Sequence, residues 1–276
     1  FDGCLYSESA LNYAISLTEN EPENLVTGIF IEDLSYAYMF SNFGIDPTGY
    51  ELSGDYGEYI DEIRQTEEES ISKSQQAFVK RCEEARVNYT IHLDEGATAY
   101  ELIRESIFAD LLVIGYQTYF SNMVGDTGQR VLKDLLTDAK CPVLVVPENE
   151  EPVKNVIFTY NGKDNSVYAI RQFTYLLRNS LNEAKYFLLN IRENEEDSLP
   201  NEDLIREYIH QHYPEITFEI IDGKPEEKIM EYAGSKANAM LVLGSYGRNA
   251  LSRLFASSIA DGVLKAKTTP VLIAHR

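Results

Sequence analysis

The stretch that decides the fold is Met240-Leu241-Val242-Leu243-Gly244-Ser245-Tyr246-Gly247-Arg248-Asn249. Four apolar residues end at Gly244, Gly247 follows three residues later, and apolar residues at helical spacing begin at Leu251. This pattern predicts a buried parallel strand, a tight glycine turn and a helix. The main-chain N–H groups at the start of such a helix suit an anion such as phosphate.

Working outward, the same plan occurs earlier in the chain. Residues 109–115 match residues 237–244, and residues 141–146 match residues 269–274, in the same order. Self-similarity at a fixed offset indicates a duplicated structural unit. Apolar strand patterns that alternate with helical patterns predict parallel sheets with right-handed crossovers. We therefore expect an α/β protein made of two repeated doubly wound domains, each a parallel sheet flanked by helices.

The predicted strands fall at equivalent places in the two halves. In the first half they cover residues 25–31, 89–93, 111–115 and 143–146, and in the second half residues 155–160, 185–191, 217–221, 240–243 and 271–274. The acidic, proline-ended segment 148–152 is the best boundary, which places the domains at 1–149 and 153–276. A tyrosine-rich insert at 33–58 has no counterpart in the second half. It either covers its own domain or forms a contact with a partner or a second copy.

The first half lacks one strand of the repeat. Residues 1–3 read as the exit of a strand that the sequence does not contain. We expect about eight further residues upstream, or another segment, to fill the place between the second and fourth strands of this half.

Composition excludes several kinds of partner. The formal net charge is −21 over 276 residues, which disfavours nucleic acid and anionic membranes, and no apolar run approaches the roughly 20 residues that span a bilayer. The cysteines at positions 4, 82 and 141 form no CxxC pair, and the histidines form no metal pattern. These features predict free thiols in the cytoplasm, no membrane or nucleic acid partner, and no metal site.

The spacing Gly244-x2-Gly247-x9-Ser257-Ser258 resembles the signature of the universal stress protein family, in which Gly-x2-Gly-x9-Gly precedes Ser or Thr. The resemblance covers the chain twice, so the sequence looks like a tandem universal stress protein. It implies the sheet order 3-2-1-4-5 in each domain. It also implies, for members that bind ATP, that the glycine loop wraps the phosphates and ribose. The Asp after strand one and residues near strand two then hold the adenine.

Carried over residue by residue, the second half keeps part of the family's site. Its candidate ligand-binding residues are Asn161, Gly244, Gly247, Arg248, Ser257 and Ser258. Ser257 stands where the third glycine belongs, which costs about 1–2 kcal/mol if that position needs a positive φ. Asn161 stands in place of the Asp and can still bond to a base edge. Lys163, Lys224 and Arg253 are further candidate phosphate partners or plain surface residues.

The first half has lost different parts of the same motif. Asp2, Gly115 and Gly128 match the family, whereas Thr118 replaces the second glycine and Gln129 replaces the Ser or Thr. A β-branched residue is poor where the turn needs a left-handed conformation. We therefore expect the second half, rather than the first, to bind an adenine nucleotide, either AMP or ATP with Mg²⁺.

Three functions stay open at this point. The first is a non-catalytic stress-response regulator that binds an adenine nucleotide, and the second is a nucleotide-free scaffold that acts through protein contacts. The third is a slow ATP hydrolase, although no catalytic motif or catalytic residue is identified. Pairing of the last strands, 143–146 with 271–274, would join the halves as an intramolecular pseudo-dimer. A further homodimer of the whole chain is also open.

Overall fold

A computed structural model of the chain describes residues 5–18, 23–32, 56–116, 127–148, 150–192, 198–244 and 269–274. Several candidate site residues lie outside these ranges: Asp2, Thr118, Gly247, Arg248, Arg253, Ser257 and Ser258. Almost all of the insert 33–58 also lies outside them. The elements below are numbered in chain order within the described residues.

The second half alternates strands and helices as its sequence predicts. Its elements are β5 (Asn155–Thr159), α5 (Asp164–Leu176), β6 (Lys185–Arg192), α6 (Glu202–His212), β7 (Thr217–Asp222), α7 (Pro225–Gly234), β8 (Ala239–Gly244) and β9 (Val271–Ala274). Proline occupies the first turn of α7, where its missing N–H costs nothing. Val156, Ile157 and Phe158 are all fully buried, because β5 is covered on both faces.

The first half contributes eight elements to the described part of the chain. They are α1 (Leu5–Thr18), β1 (Leu25–Glu32), α2 (Tyr56–Ala85), β2 (Asn88–Glu95), α3 (Thr98–Glu105), β3 (Leu112–Gly115), α4 (Thr127–Asp138) and β4 (Val143–Val146). Helix α2 begins within the last three residues of the segment assigned to the insert. The predicted strands at 89–93 and 111–115 differ from the observed ones by three residues or fewer at each end.

Sheet order confirms the doubly wound class. The larger sheet runs β3-β4-β9-β8-β5-β6-β7, so the second half has the predicted order 3-2-1-4-5. The first half differs: β1 and β2 pair in parallel as a separate two-stranded sheet, whereas β3 and β4 join the larger sheet. Within the described residues no strand lies between β1 and β3, so this half is not a single five-stranded sheet.

The last strands of the two halves pair directly. β4 runs antiparallel to β9, with Leu144 opposite Leu272, and every other pairing in the two sheets is parallel. The pairing predicted for these two strands is therefore present. It buries two edges that would otherwise be exposed to pairing with other chains.

Two apolar layers cover the larger sheet. On one face, the side chains of Ile157 and Leu241 pack with Ile229 of α7. On the other face, Phe158 packs with Phe173 of α5 at 5.2 Å between ring centroids, and Tyr13 of α1 belongs to the same cluster. α1 and α5 thus lie on one side of the sheet. Among the described helices, none is both long enough and apolar enough to cross a membrane.

Candidate functional site

The carboxyl ends of β5 and β8 lie side by side. These strands pair in parallel with Phe158 opposite Val242, and Thr159 Oγ1 donates to the Val242 carbonyl at 3.0 Å. The chain leaves β5 toward β6 on one side and leaves β8 toward β9 on the other. A crevice opens where connections diverge in this way, and ligands of open α/β sheets bind there. Asn161 follows β5, and Gly244 ends β8, so both lie at this point.

Gly244 brings β8 against the start of α5. A Cβ at this glycine would lie 2.5 Å from the Ser166 nitrogen and even closer to the Asn165 carbonyl group. Real Cβ atoms essentially never come within 3.0 Å of such atoms. Glycine is therefore required for close packing of strand and helix, whatever ligand the crevice holds.

The start of α5 is closed to phosphate by its own side chains. Asn161 Oδ1 accepts the Lys163 N–H at 3.1 Å, and Asp164 Oδ1 accepts the Asn165 N–H at 3.0 Å. The Ser166 N–H donates to the Lys163 carbonyl. These internal bonds use donors that a phosphate would need, and the Asp164 charge opposes an anion at a helix start. Asn161 can thus serve a base or sugar more readily than a phosphate.

The turn between Asn161 and α5 rests on the loop that precedes α6. Gly162 has φ +77° and lies against Pro200, where a Cβ would overlap the proline ring. The Tyr160 hydroxyl donates to the Pro200 carbonyl at 2.7 Å, and burial raises the pKa of this hydroxyl. Asn201 Nδ2 also donates to the Gly162 carbonyl, at 3.4 Å. The turn that holds Asn161 is consequently positioned by contacts from the loop before α6.

The first-half candidates do not form an equivalent crevice within the described residues. Gly115 ends β3, and Gly128 lies in the first turn of α4, after the undescribed segment 117–126. Tyr116, next to Gly115, is buried and its hydroxyl donates 2.7 Å to the Thr269 carbonyl just before β9. Tyr116, which follows the first glycine of the first-half motif, is therefore hydrogen-bonded to the second half.

Charged residues near the sheet edges have partners of their own. Lys224 lies 3.6 Å from Glu227 and follows β7, which β6 separates from β5. Lys224 is therefore removed from the crevice at β5 and β8. In the first half, Arg104 of α3 lies 2.5 Å from Asp94 and 2.9 Å from Glu101. This ion cluster escaped the sequence analysis because its members come from β2 and α3. In the described parts of the chain, no group of three or more His, Cys, Asp or Glu side chains could hold a metal ion.

The second half is a doubly wound α/β domain, because its sheet has the strand order 3-2-1-4-5. Domains of this class bind ligands at the switch point, where the strand order reverses, and Asn161 and Gly244 lie there. A model of the universal stress protein family matches residues 154–275. The second half of the chain therefore matches the universal stress protein family.

Individual relatives agree with this assignment. Universal stress protein MJ0577 of Methanocaldococcus jannaschii is 24% identical over 152 residues, which cover 53% of this chain and 83% of that protein. Universal stress protein MJ0531 of the same organism is 33% identical over 58 residues, or 21% of this chain, and the match spans about a third (34%) of that relative's length. The crystal structure of a universal stress protein from Archaeoglobus fulgidus has a TM-score of 0.71 at 16% identity, covering 100% of this chain and 94% of that one, and thus shares the fold.

Proposed function

We propose that the second half binds an adenine nucleotide, either AMP or ATP with Mg²⁺, and that the protein acts as a non-catalytic stress-response regulator. The observation that carries this proposal is the switch point, where Asn161 at the exit of β5 lies beside the terminal glycine of β8. Asn161 Nδ2 offers a donor, and Oδ1, which accepts the Lys163 N–H, has a second lone pair that can accept from the edge of a purine base.

Electrostatics assigns the two ends of the nucleotide to different places. The start of α5 carries Asp164 and uses its own donors, so the phosphates belong on the opposite side of the crevice. The candidate phosphate partners Gly247, Arg248, Ser257 and Ser258 come from the sequence that follows Gly244 and lie outside the described residues. A net charge of −21 disfavours anions in general, which makes Arg248 the main candidate for a local phosphate partner.

Calorimetric titration with AMP, and with ATP and Mg²⁺, tests the proposal. Asn161→Ala is expected to weaken binding about tenfold, the effect of losing one or two hydrogen bonds to a base. Asn155→Ala is the matched control, because Asn155 begins the same strand and its amide donates to the Ala237 carbonyl at the opposite edge. Gly247→Val is expected to abolish binding. No binding by the wild type at millimolar nucleotide, or equal losses in Asn161→Ala and Asn155→Ala, would contradict the proposal.

A nucleotide-free scaffold is the second candidate function. Two observations favour it: packing against α5 alone accounts for Gly244, and Phe108 beside α3 is 87% exposed. The same titration separates the two candidates, since a scaffold binds neither AMP nor ATP. Slow ATP hydrolysis is the third candidate, and it requires phosphate release above that of a sample without protein.

We also propose that two domains, 1–149 and 153–276, pack as a pseudo-dimer across β4 and β9. Antiparallel pairing of these strands supports this arrangement, as does the bond from Ser180 Oγ of the second domain to the Leu17 carbonyl of the first. The mass of the particle in solution, measured by light scattering, decides whether a homodimer of the whole chain also forms. The free thiols of Cys82 and Cys141 support a cytoplasmic location, which localisation of a tagged protein tests.

A further inference from the structure

The parallel ladder between β5 and β6 stops one residue before the candidate site. Its register places Thr159 opposite Leu189, and the N–H of Tyr160 donates to the Leu189 carbonyl at 2.9 Å. Alternate residues of a parallel strand turn their main-chain groups toward the same neighbour. The Gly223 N–H donates to the Arg192 carbonyl, so the main-chain groups of Arg192 point toward β7. The main-chain groups of Leu189 and Ile191 therefore point toward β5.

A side chain takes the place of the next ladder bond. Asn190 Nδ2 donates to the Tyr160 carbonyl at 2.8 Å. If the ladder continued, that carbonyl would accept the N–H of Ile191. In the described ranges the Tyr160 carbonyl receives no main-chain N–H, and β5 ends at Thr159. The N–H and carbonyl of Ile191 thus point toward the exit of β5, where Asn161 begins the turn.

Asn190 is an unusual residue for its position. It is 3% exposed and follows the two buried leucines at 188 and 189. Leu188 packs against the apolar face of the sheet that α5 and α6 cover. A leucine has nearly the same shape as asparagine and would suit this face better. The Asn190 Oδ1 atom accepts no hydrogen bond from the described residues, so the amide is present for its donor.

We infer that Asn190 is a positioning residue of the ligand site. By occupying the Tyr160 carbonyl, its amide ends the ladder and keeps the Ile191 main chain directed into the crevice beside Asn161. The Ile191 N–H and carbonyl then form a donor–acceptor pair that matches the hydrogen-bonding edge of a planar base. The identity of the ligand rests on the proposed function, whereas the effect of Asn190 on the ladder does not.

Amide hydrogen exchange without nucleotide tests the effect on the ladder. In the wild type, the Ile191 N–H is expected to exchange at least tenfold faster than the Leu189 N–H, which lies within the ladder. In Asn190→Leu the Tyr160 carbonyl becomes available, and Ile191 exchange is expected to slow at least tenfold. Asn155→Leu is the matched control, because it removes a similar amide-to-carbonyl bond at the other end of β5 and leaves Ile191 unchanged.

Two results would overturn the inference. One is equal protection of Ile191 and Leu189 in the wild type, a comparison that holds even if Asn190→Leu does not fold. The other is an unchanged Ile191 exchange rate in a folded Asn190→Leu protein.

Titration with AMP then connects Asn190 to the ligand. Asn190→Leu is expected to weaken AMP binding about tenfold, because its ladder occupies the Ile191 N–H, while Asn155→Leu binds as the wild type does. If AMP fails to bind the wild type although Ile191 exchanges as expected, the proposed function fails and the role of Asn190 in the ladder stands. If AMP binds and Asn190→Leu binds it equally well, the proposed function stands and the positioning role fails.

Discussion

Replacing Gly244 with alanine tests how closely β8 and α5 approach each other. The added Cβ would lie 2.5 Å from the Ser166 nitrogen and closer still to the Asn165 carbonyl group, whereas ordinary contacts begin at 3.4 Å, so the gap must widen by at least about 0.9 Å (3.4 − 2.5). The atoms that obstruct the Cβ belong to the main chain of Asn165 and Ser166 and cannot rotate away. Overpacking of this kind costs about 1–3 kcal/mol, and here we expect the upper part of that range.

Gly234→Ala is the matched control, because a Cβ at this position at the end of α7 meets no atom within 4 Å. Alanine in a helix is more stable than glycine by about 0.5–1 kcal/mol, so the two substitutions have opposite signs. With about 2–4 °C per kcal/mol for a chain of this size, a cost of about 2–3 kcal/mol should lower the Tm of Gly244→Ala by about 4–12 °C. Gly234→Ala should raise it by about 1–4 °C.

Thermal unfolding followed by circular dichroism, with urea unfolding as a second measure, provides the assay. A Gly244→Ala protein that is as stable as the wild type would refute the close approach of strand and helix. It would also remove the packing explanation for the glycine and leave ligand binding as its main role.

Three other predictions concern stability. Arg104→Met should lower the free energy of unfolding in urea by about 1–3 kcal/mol, because it leaves the buried Glu101 carboxylate without its ion pair. Lys224→Met is the control: it breaks an exposed ion pair and should change stability by less than about 0.5 kcal/mol. Tyr116→Phe should cost about 0.5–1.5 kcal/mol, since it removes the hydroxyl that donates to the carbonyl preceding β9; an unchanged urea midpoint would contradict this role. Burial raises the pKa of the Cys82 thiol from 9.0 to about 11, so its contribution to stability is complete below about pH 9 and is lost as pH rises toward 11. Iodoacetamide should therefore label Cys82 slowly at pH 8 in the folded protein and rapidly in urea.

Local patterns predicted most of the second half. Continuous apolar runs such as residues 156–158 indicated strands buried on both faces, and β5 is covered on both sides. The pairing of β4 with β9 was expected from the family resemblance and from the open edge that each last strand otherwise leaves, whereas its antiparallel direction is seen only in the structure. The close packing of Gly244 on α5 was not assigned to a particular contact, since the sequence gives no distance between a strand end and a helix start.

The features that sequence reasoning missed depend on contacts between distant residues. Asn190 meets the Tyr160 carbonyl only after β5 and β6 pair, and the only local signal is one asparagine within the run Leu188-Leu189-Asn190-Ile191. In the first half, the repeat indicated an unfilled place between the second and fourth strands, and among the described residues no segment fills it, so two sheets result. Each of these outcomes follows from strand pairing rather than from local propensity.

A crystal structure of the protein grown with AMP is the most direct test of the central claim, that the second half binds a nucleotide where β5 and β8 end. The account predicts density for the base between Asn161 and Gly244, with hydrogen bonds to the Asn161 side chain and to the main chain of Ile191. Density for the nucleotide at any other place, or a crevice without nucleotide at a concentration that saturates other members of the family, would contradict it.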